Sequence, residues 1–390
     1  MAIVGIDRVQ LAMPSGRADE ARHPSTGARP VQSSDKPRRF VFVDALRGIA
    51  AMWVVVYHAF ESKRLTNLEP LLPNWTAQLI HSAYLAVTIF FVLSGFVIAH
   101  SVARRRVDAP YVGWFMLRRA VRLDPPYWAS ILAIIVVSRH IARPGWPTVL
   151  AHMFYLQDLL QLKSISPIYW TLCLEFQLYL VFVVLLAIAH RFNSRSTDRR
   201  SLFVVFTAAA LVASLFPVGL VHEATLPPGL FLGVWYTFLG GAFAYWALDG
   251  TIPRTAFYVW AGALVADAIY VHNVGVLVSM AIAALLLEVG RAGRLSDWLS
   301  YRPLQFLGRI SYSLYLMHGL GGLIMAYAFY HLTPQTAPWE LFWLLVVLAA
   351  DCIGAWLFWR LVEAPCITLA RYCRPPDRRV GPSPLSRVAL

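Results

Sequence analysis

The chain has 390 residues, of which 58% are apolar and only 14% charged, against about 25% charged in an ordinary soluble domain. Apolar runs of membrane-spanning length recur almost from end to end, which excludes a soluble cytosolic enzyme and makes the bilayer the solvent. The formal net charge of +13, from 34 Lys+Arg against 21 Asp+Glu, leaves nucleic acid, anionic lipid and an anionic substrate open until the charges are placed.

Residues 1–37 carry Pro, Ser, Arg and Asp without an apolar core, and read as a basic, disordered tail rather than a signal peptide. The first span, 40–60, contains Asp44, Arg47 and His58, and the second, 80–100, contains Ser94-Gly95-Phe96. The loop 101–124 is the densest basic cluster, with Arg104-Arg105-Arg106, then Arg118, Arg119 and Arg122 ahead of Asp124-Pro125-Pro126. A third span follows at 125–141, and 147–161 is apolar but short, as expected of an interfacial or half-inserted helix. The fourth span, 169–190, opens with Tyr169-Trp170-Thr171 and carries Glu175. Further spans are expected at 201–221, 229–248, 255–271 and 273–289. The ninth, 310–330, holds Ser311, Tyr315 and His318 followed by Gly319, Gly321 and Gly322, small residues suited to close helix approach. The tenth is 339–361, and 369–390 is a second basic tail flanking a transmembrane body of 38–368. Four cysteines, at 173, 352, 366 and 373, imply neither disulfides nor a metal site.

The expected fold class is therefore an all-α integral membrane protein, a bundle of about ten transmembrane helices with both termini cytoplasmic. Basic residues flank the cytoplasmic ends of membrane spans. Alternating ten spans from a cytoplasmic N-terminus assigns 28 of the 34 Lys+Arg to that side. The net charge then sets topology, and no nucleic-acid partner is expected.

Ionisable residues inside spans are costly and mark sites or pathways. Asp44, Arg47 and His58 fall on one helical face, with about 16 Å of axis between Arg47 and His58. Glu175 lies at about the depth of His58 in a helix running the other way, where a carboxylate would orient the imidazole and raise its basicity. The alternatives are a structural ion pair, a packed core histidine at His318, and small-residue packing at Ser94. Arg119 and Arg122 form a fork suited to phosphates or to anionic headgroups.

Together these segments resemble the acyltransferase 3 family of integral membrane O-acyltransferases. The resemblance rests on Phe42-Val43-Asp44-Ala45-Leu46-Arg47-Gly48 with ten residues between Arg47 and His58, on the Ser94-Gly95-Phe96 turn, and on Arg119-x-x-Arg122. It continues through Trp170-Thr171-Leu172 with Glu175, the Ser311-to-His318 block and Val362-Glu363-Ala364-Pro365. Thr171 departs from a common serine, and Asp124-Pro125-Pro126 from the usual Ile/Leu-x-Pro.

The resemblance implies transfer of an acyl group, most commonly acetyl, from cytoplasmic acyl-CoA to a hydroxyl of a cell-surface glycan or glycolipid, in a bacterial inner membrane. Acyl-CoA is then a co-substrate, and no bound cofactor or metal is expected. The expected catalytic residues are His58 as general base, Glu175 orienting it, and Arg47 and Asp44, with Arg47 or a nearby polar group steadying the oxyanion; an acyl-His58 intermediate is a variant of this route. Arg118, Arg119, Arg122, Tyr169, Trp170, Ser94, Tyr315 and His318 are the expected substrate-binding residues. Membrane lipid, and a separate extracytoplasmic protein that completes the transfer, are further expected partners. A small-molecule acceptor such as a macrolide is the alternative within the class, and a secondary transporter or flippase the alternative outside it.

Overall fold

A computed structural model of the chain describes residues 39–103, 105–137, 144–192, 200–221 and 226–373, with residues 320–332 described by their backbone alone. The two tails expected from sequence lie outside these residues, apart from the start of the second. Among the described residues the regular structure is entirely helical. Ten longer helices fall where the ten apolar stretches were expected: α1 (Val41–Glu61), α3 (Tyr84–Val102), α4 (Ala109–Val137), α6 (Trp170–Phe192), α7 (Arg200–Ser214), α8 (Trp235–Leu248), α9 (Arg254–Tyr270), α10 (Val274–Arg291), α11 (Arg302–Leu332) and α12 (Ala337–Phe358). Short helices α2 (Asn74–His81), α5 (Trp146–Met153) and α13 (Ala364–Tyr372) complete the set. Seven helical segments among the described residues are long and apolar enough to cross a membrane. With 15 and 17 residues, α7 and α9 are shorter than that.

The packing order follows from which helices are apolar all round. Every residue of α8 from Trp235 to Ala247 is buried, as suits a helix wrapped by neighbours rather than lipid. It packs against α3 on one side and α10 on another, while α1 packs against α11 and α11 against α12. Two crossings are glycine-controlled. A Cβ at Gly48 would stand 2.7 Å from the Gly308 nitrogen, and one at Gly308 would overlap the Asp44 carbonyl, so α1 and α11 meet backbone to backbone. Gly95 and Gly241 do the same for α3 and α8, each Cβ overlapping a carbonyl of the partner helix, Phe238 and Val92 respectively.

Three expectations are corrected. Arg118, Arg119 and Arg122, expected in a loop before Pro125, lie on α4 itself, which runs unbroken from Ala109 through Pro125-Pro126. Proline in a helix interior leaves the carbonyls four residues back, here those of Val121 and Arg122, without a donor; Tyr312 of α11 donates to the Leu123 carbonyl at 2.9 Å. Ser94-Gly95-Phe96 is no turn but the middle of α3. A Cβ at Gly319 would meet nothing within 4 Å, so that glycine does not mediate a close helix approach; Gly321 and Gly322 lie outside the described side chains.

The segment 147–161 stays short of a spanning helix, as expected, with α5 ending at Met153. His152 staples it: Nδ1–H donates to the Thr148 carbonyl at 2.7 Å and Nε2 accepts from the Ile165 N–H at 3.1 Å. Burial holds this imidazole below its ordinary pKa, in the neutral form that such an arrangement requires. Trp146, Leu150, Phe154 and Leu160 are exposed, an apolar set fitted to a bilayer interface.

Candidate active site

Five helices leave a space of about 90 Å³ between them. One water needs about 10–15 Å³, so the space admits a slender, unbranched group rather than a ring system. Arg47 enters it from α1, Ser94 from α3, Arg119 and Arg122 from α4, Glu175 and Tyr179 from α6, and Tyr312 and Tyr315 from α11. The aliphatic and aromatic remainder of the wall comes mostly from α3, with Val87, Phe90 and Val97 among it. Arg47 and Arg119 thus converge from helices far apart in sequence.

The charge balance is positive. Three guanidinium groups face one lining carboxylate, Glu175, with Glu363 close to Arg122 and Arg47 behind the wall. Among the described residues none of the three arginines lies within ion-pair distance of a carboxylate. Arg119 rests over the rings of Phe115 and Tyr179, at 5.4 and 5.2 Å, a contact that holds a guanidinium in place without neutralising it. Arg122 Nε is sealed from solvent and has no hydrogen-bond partner. A buried charged donor left unsatisfied is costly, and a fork of guanidiniums with spare donors matches a phosphate or other oxyanion.

Glu175 is engaged within this cavity. Its Oε1 accepts from the Ser94 hydroxyl at 2.8 Å and from the Tyr179 hydroxyl one turn along α6. Glu175 is therefore not placed to orient His58: its partners are the hydroxyls of Ser94 and Tyr179. Ser94 is held as a donor to that carboxylate, while the glycine beside it does the helix packing.

His58 stands elsewhere. It stacks on His318 with ring centroids 5.2 Å apart and planes 29° apart. His318 is buried, and its Nδ1 faces the carbonyls of Tyr315 and Leu314 at 2.9 and 3.2 Å. Carbonyls only accept, so Nδ1 carries the hydrogen and Nε2 is the acceptor of the neutral ring. Tyr315, 6.1 Å from His318 between centroids, joins the pair to the cavity wall. Its hydroxyl donates to the Ile168 carbonyl at 2.9 Å and lies 2.7 Å from Thr171 Oγ1. Arg47, about 16 Å along α1 from His58, belongs with the other arginines and is not placed to steady an oxyanion beside His58.

Four further expectations do not meet the cavity. Asp44 pairs with Arg39 at 2.5 Å rather than with Arg47. Arg118 is exposed and lies 5.4 Å over the Trp114 ring. Trp170 is exposed on α6. Tyr169 is fully buried in the core, its hydroxyl 2.9 Å from Ser130. Conversely, the sequence reading leaves Tyr179, Tyr312 and Glu363 without a role. Tyr179 sits four residues from Glu175, the spacing of helical neighbours. Glu363 closes a π-helical turn, Trp359–Glu363, and accepts from Ser313 at 2.6 Å. Such turns gather at functional sites, and the Ala364-Pro365 that follows is the sequence signal for this one. Among the described residues no three His, Cys, Asp or Glu converge as metal ligands.

A family model described as an acyltransferase domain matches residues 40–360. The chain is 28% identical over 196 residues to Protein 2 in picA locus of Rhizobium radiobacter, covering 46% of this chain and 96% of that one. It is 22% identical to the peptidoglycan O-acetyltransferase OatA of Listeria monocytogenes, over 83% of this chain and 55% of the relative. It is 24% identical to the O-acetyltransferase OatA of Staphylococcus aureus, over 72% of this chain and 50% of the relative. The chain thus spans about half the length of these two relatives. No solved structure matches it.

Proposed function

The chain belongs to the acyltransferase 3 family, and from that premise we propose that it carries an acyl group, normally acetyl, from acyl-CoA on the cytoplasmic side to a hydroxyl of a cell-surface glycan or glycolipid. The observation that carries this reading is the cavity that begins at three unpaired arginines and ends one helical turn short of two stacked histidines. It has the shape and polarity for a CoA thioester: phosphates at Arg47, Arg119 and Arg122, the slender pantetheine arm along α3, the thioester toward His58. The two O-acetyltransferase relatives support acetyl as the group, and the peptidoglycan O-acetyltransferase of the two supports a glycan as the acceptor. As part of this proposal the protein is a multi-pass protein of a bacterial inner membrane with both ends cytoplasmic, the short α7 and α9 counted among ten crossings. A separate extracytoplasmic protein that completes the transfer remains part of the proposal.

In this mechanism His58 accepts the proton of the acceptor hydroxyl as its oxygen attacks the thioester carbonyl. The tetrahedral intermediate collapses with cleavage of the carbon–sulfur bond, and the imidazolium returns the proton to the departing thiolate. The products are the ester and CoA. His318 replaces Glu175 as the neighbour of His58, offering a neutral ring face to the imidazolium that forms. Glu175, with Ser94 and Tyr179, holds the arginine end in register.

The test is CoA release by the purified protein supplied with acetyl-CoA and an extracted surface glycan. His58→Ala is expected to lower turnover by about 10²–10⁴ while leaving acetyl-CoA binding intact. Normal turnover in that variant would remove His58 from the mechanism. A wild-type protein that binds no CoA compound would remove the reading as a whole.

A further inference from the structure

Two rings of the cavity wall meet on the side of the cavity that leads through Tyr315 to the histidine pair. Phe90 of α3 and Tyr315 of α11 meet edge to face, with centroids 6.2 Å apart, and both line the cavity. Beyond Tyr315 lie His318 and then His58. The two rings are held very differently. Tyr315 is tied by its hydroxyl to the Ile168 carbonyl and to Thr171. Phe90 has no polar atom in its side chain, is half-buried, and packs against two apolar clusters. One wall of the passage is tied by hydrogen bonds, and the other is not.

We propose that Phe90, closing against the fixed ring of Tyr315, determines which acyl group the protein accepts, admitting acetyl and rejecting butyryl and longer chains. This rests on the reading of the cavity as an acyl-CoA site. With phosphates at the arginines and the thioester directed to His58, the acyl group is the last part of the donor to arrive, and it arrives where the two rings meet. Acetyl adds one methyl to the carbonyl and fits beside an edge-to-face pair. Each further methylene must displace a ring, and an apolar pocket discriminates a single methylene by about tenfold or more. The arginines cannot contribute to this choice, since every CoA thioester presents them with the same phosphates.

The experiment is competitive displacement of radiolabelled acetyl-CoA from the purified full-length protein, with butyryl-CoA and free CoA as competitors. The wild type is expected to bind acetyl-CoA at least about tenfold more tightly than butyryl-CoA, and Phe90→Ala to bring the two close to parity. Phe90→Leu, which keeps most of the apolar volume, is expected to fall between them and serves if the alanine variant does not fold. Arg122→Ala should weaken both thioesters equally and leave their ratio unchanged. A wild type indifferent to chain length, or a Phe90 variant that binds acetyl-CoA with the wild-type ratio, would overturn the proposal while leaving the donor site standing. Absence of binding by all three CoA compounds to the wild type would instead overturn the donor site itself.

Discussion

Arg122 shows how the site distinguishes a structural charge from a waiting one. A surface guanidinium can satisfy its donors with water; Arg122 Nε is cut off from water and has no partner, while Arg47 and Arg119 add repulsion from the same cavity. An arrangement of like charges around an unfilled donor loses free energy until an anion enters. A hydrogen bond to a charged group is worth about 1.5–3 kcal/mol, so Arg122→Ala is expected to raise the Kd for acetyl-CoA by about 10- to 150-fold. Arg122→Lys keeps the charge but not the planar fork, and should recover only part of the loss. Equilibrium dialysis with radiolabelled acetyl-CoA reads both variants. An unchanged Kd for the alanine variant would mean that the unsatisfied donor serves no ligand. Glu175 marks the limit of reading such residues from sequence. Helix rise alone set it level with His58, whereas it lies at the arginine end of the cavity with Arg47, Arg119 and Arg122. Its true partners, Ser94 and Tyr179, are fixed by how α3 and α6 are rotated, which hydropathy does not encode.

At the scale of elements, helix length and apolarity were legible because the bilayer demands them; where helices touch was not. The cluster of glycines after His318 drew attention by composition, yet the contact that sets α1 against α11 is the isolated pair Gly48 and Gly308. A lone glycine in an apolar helix has no sequence mark separating a crossing point from open lipid. Similarly, Pro125-Pro126 reads as a helix start because proline favours the first turn, whereas α4 carries both in its interior. The α1–α11 crossing also positions the proposed chemistry, because His58 and His318 ride on those two helices. Gly308→Ala drives a Cβ into the Asp44 carbonyl and forces the helices apart, an overpacking cost of about 1–3 kcal/mol. Its thermal unfolding in detergent should occur at a lower temperature than the wild type, with turnover falling further than acetyl-CoA binding. Gly319→Ala, whose Cβ meets nothing within 4 Å, should leave the unfolding temperature unchanged. Equal behaviour of the two would show that the crossing tolerates a methyl group and does not fix the histidine pair.

Across the whole molecule the site is polarised along the bundle. The arginines gather toward the N-terminal end of α1, and the histidines lie near its C-terminal end, beside the loop 62–73. Glu340, fully buried at the start of α12, binds that loop by accepting from the backbone N–H groups of Asn67 and Leu68 and from Asn67 Nδ2. The loop between α10 and α11, with Arg291 and Arg294, lies at the opposite end, where Trp298 stacks on Phe42 at the beginning of α1. A CoA donor exists only in the cytoplasm, so the proposed reaction requires the arginine end to face inward, the orientation that 28 of the 34 basic residues favour. Single cysteines in a background lacking the four native ones test this directly. Thr66→Cys, exposed in the loop 62–73, is expected to react with a membrane-impermeant maleimide in intact cells. Ser296→Cys, exposed between α10 and α11, should react only after the membrane is permeabilised. The reverse pattern would open the arginine cavity to a compartment without acyl-CoA, and no arrangement of His58, Phe90 or Arg122 could then support transfer from that donor.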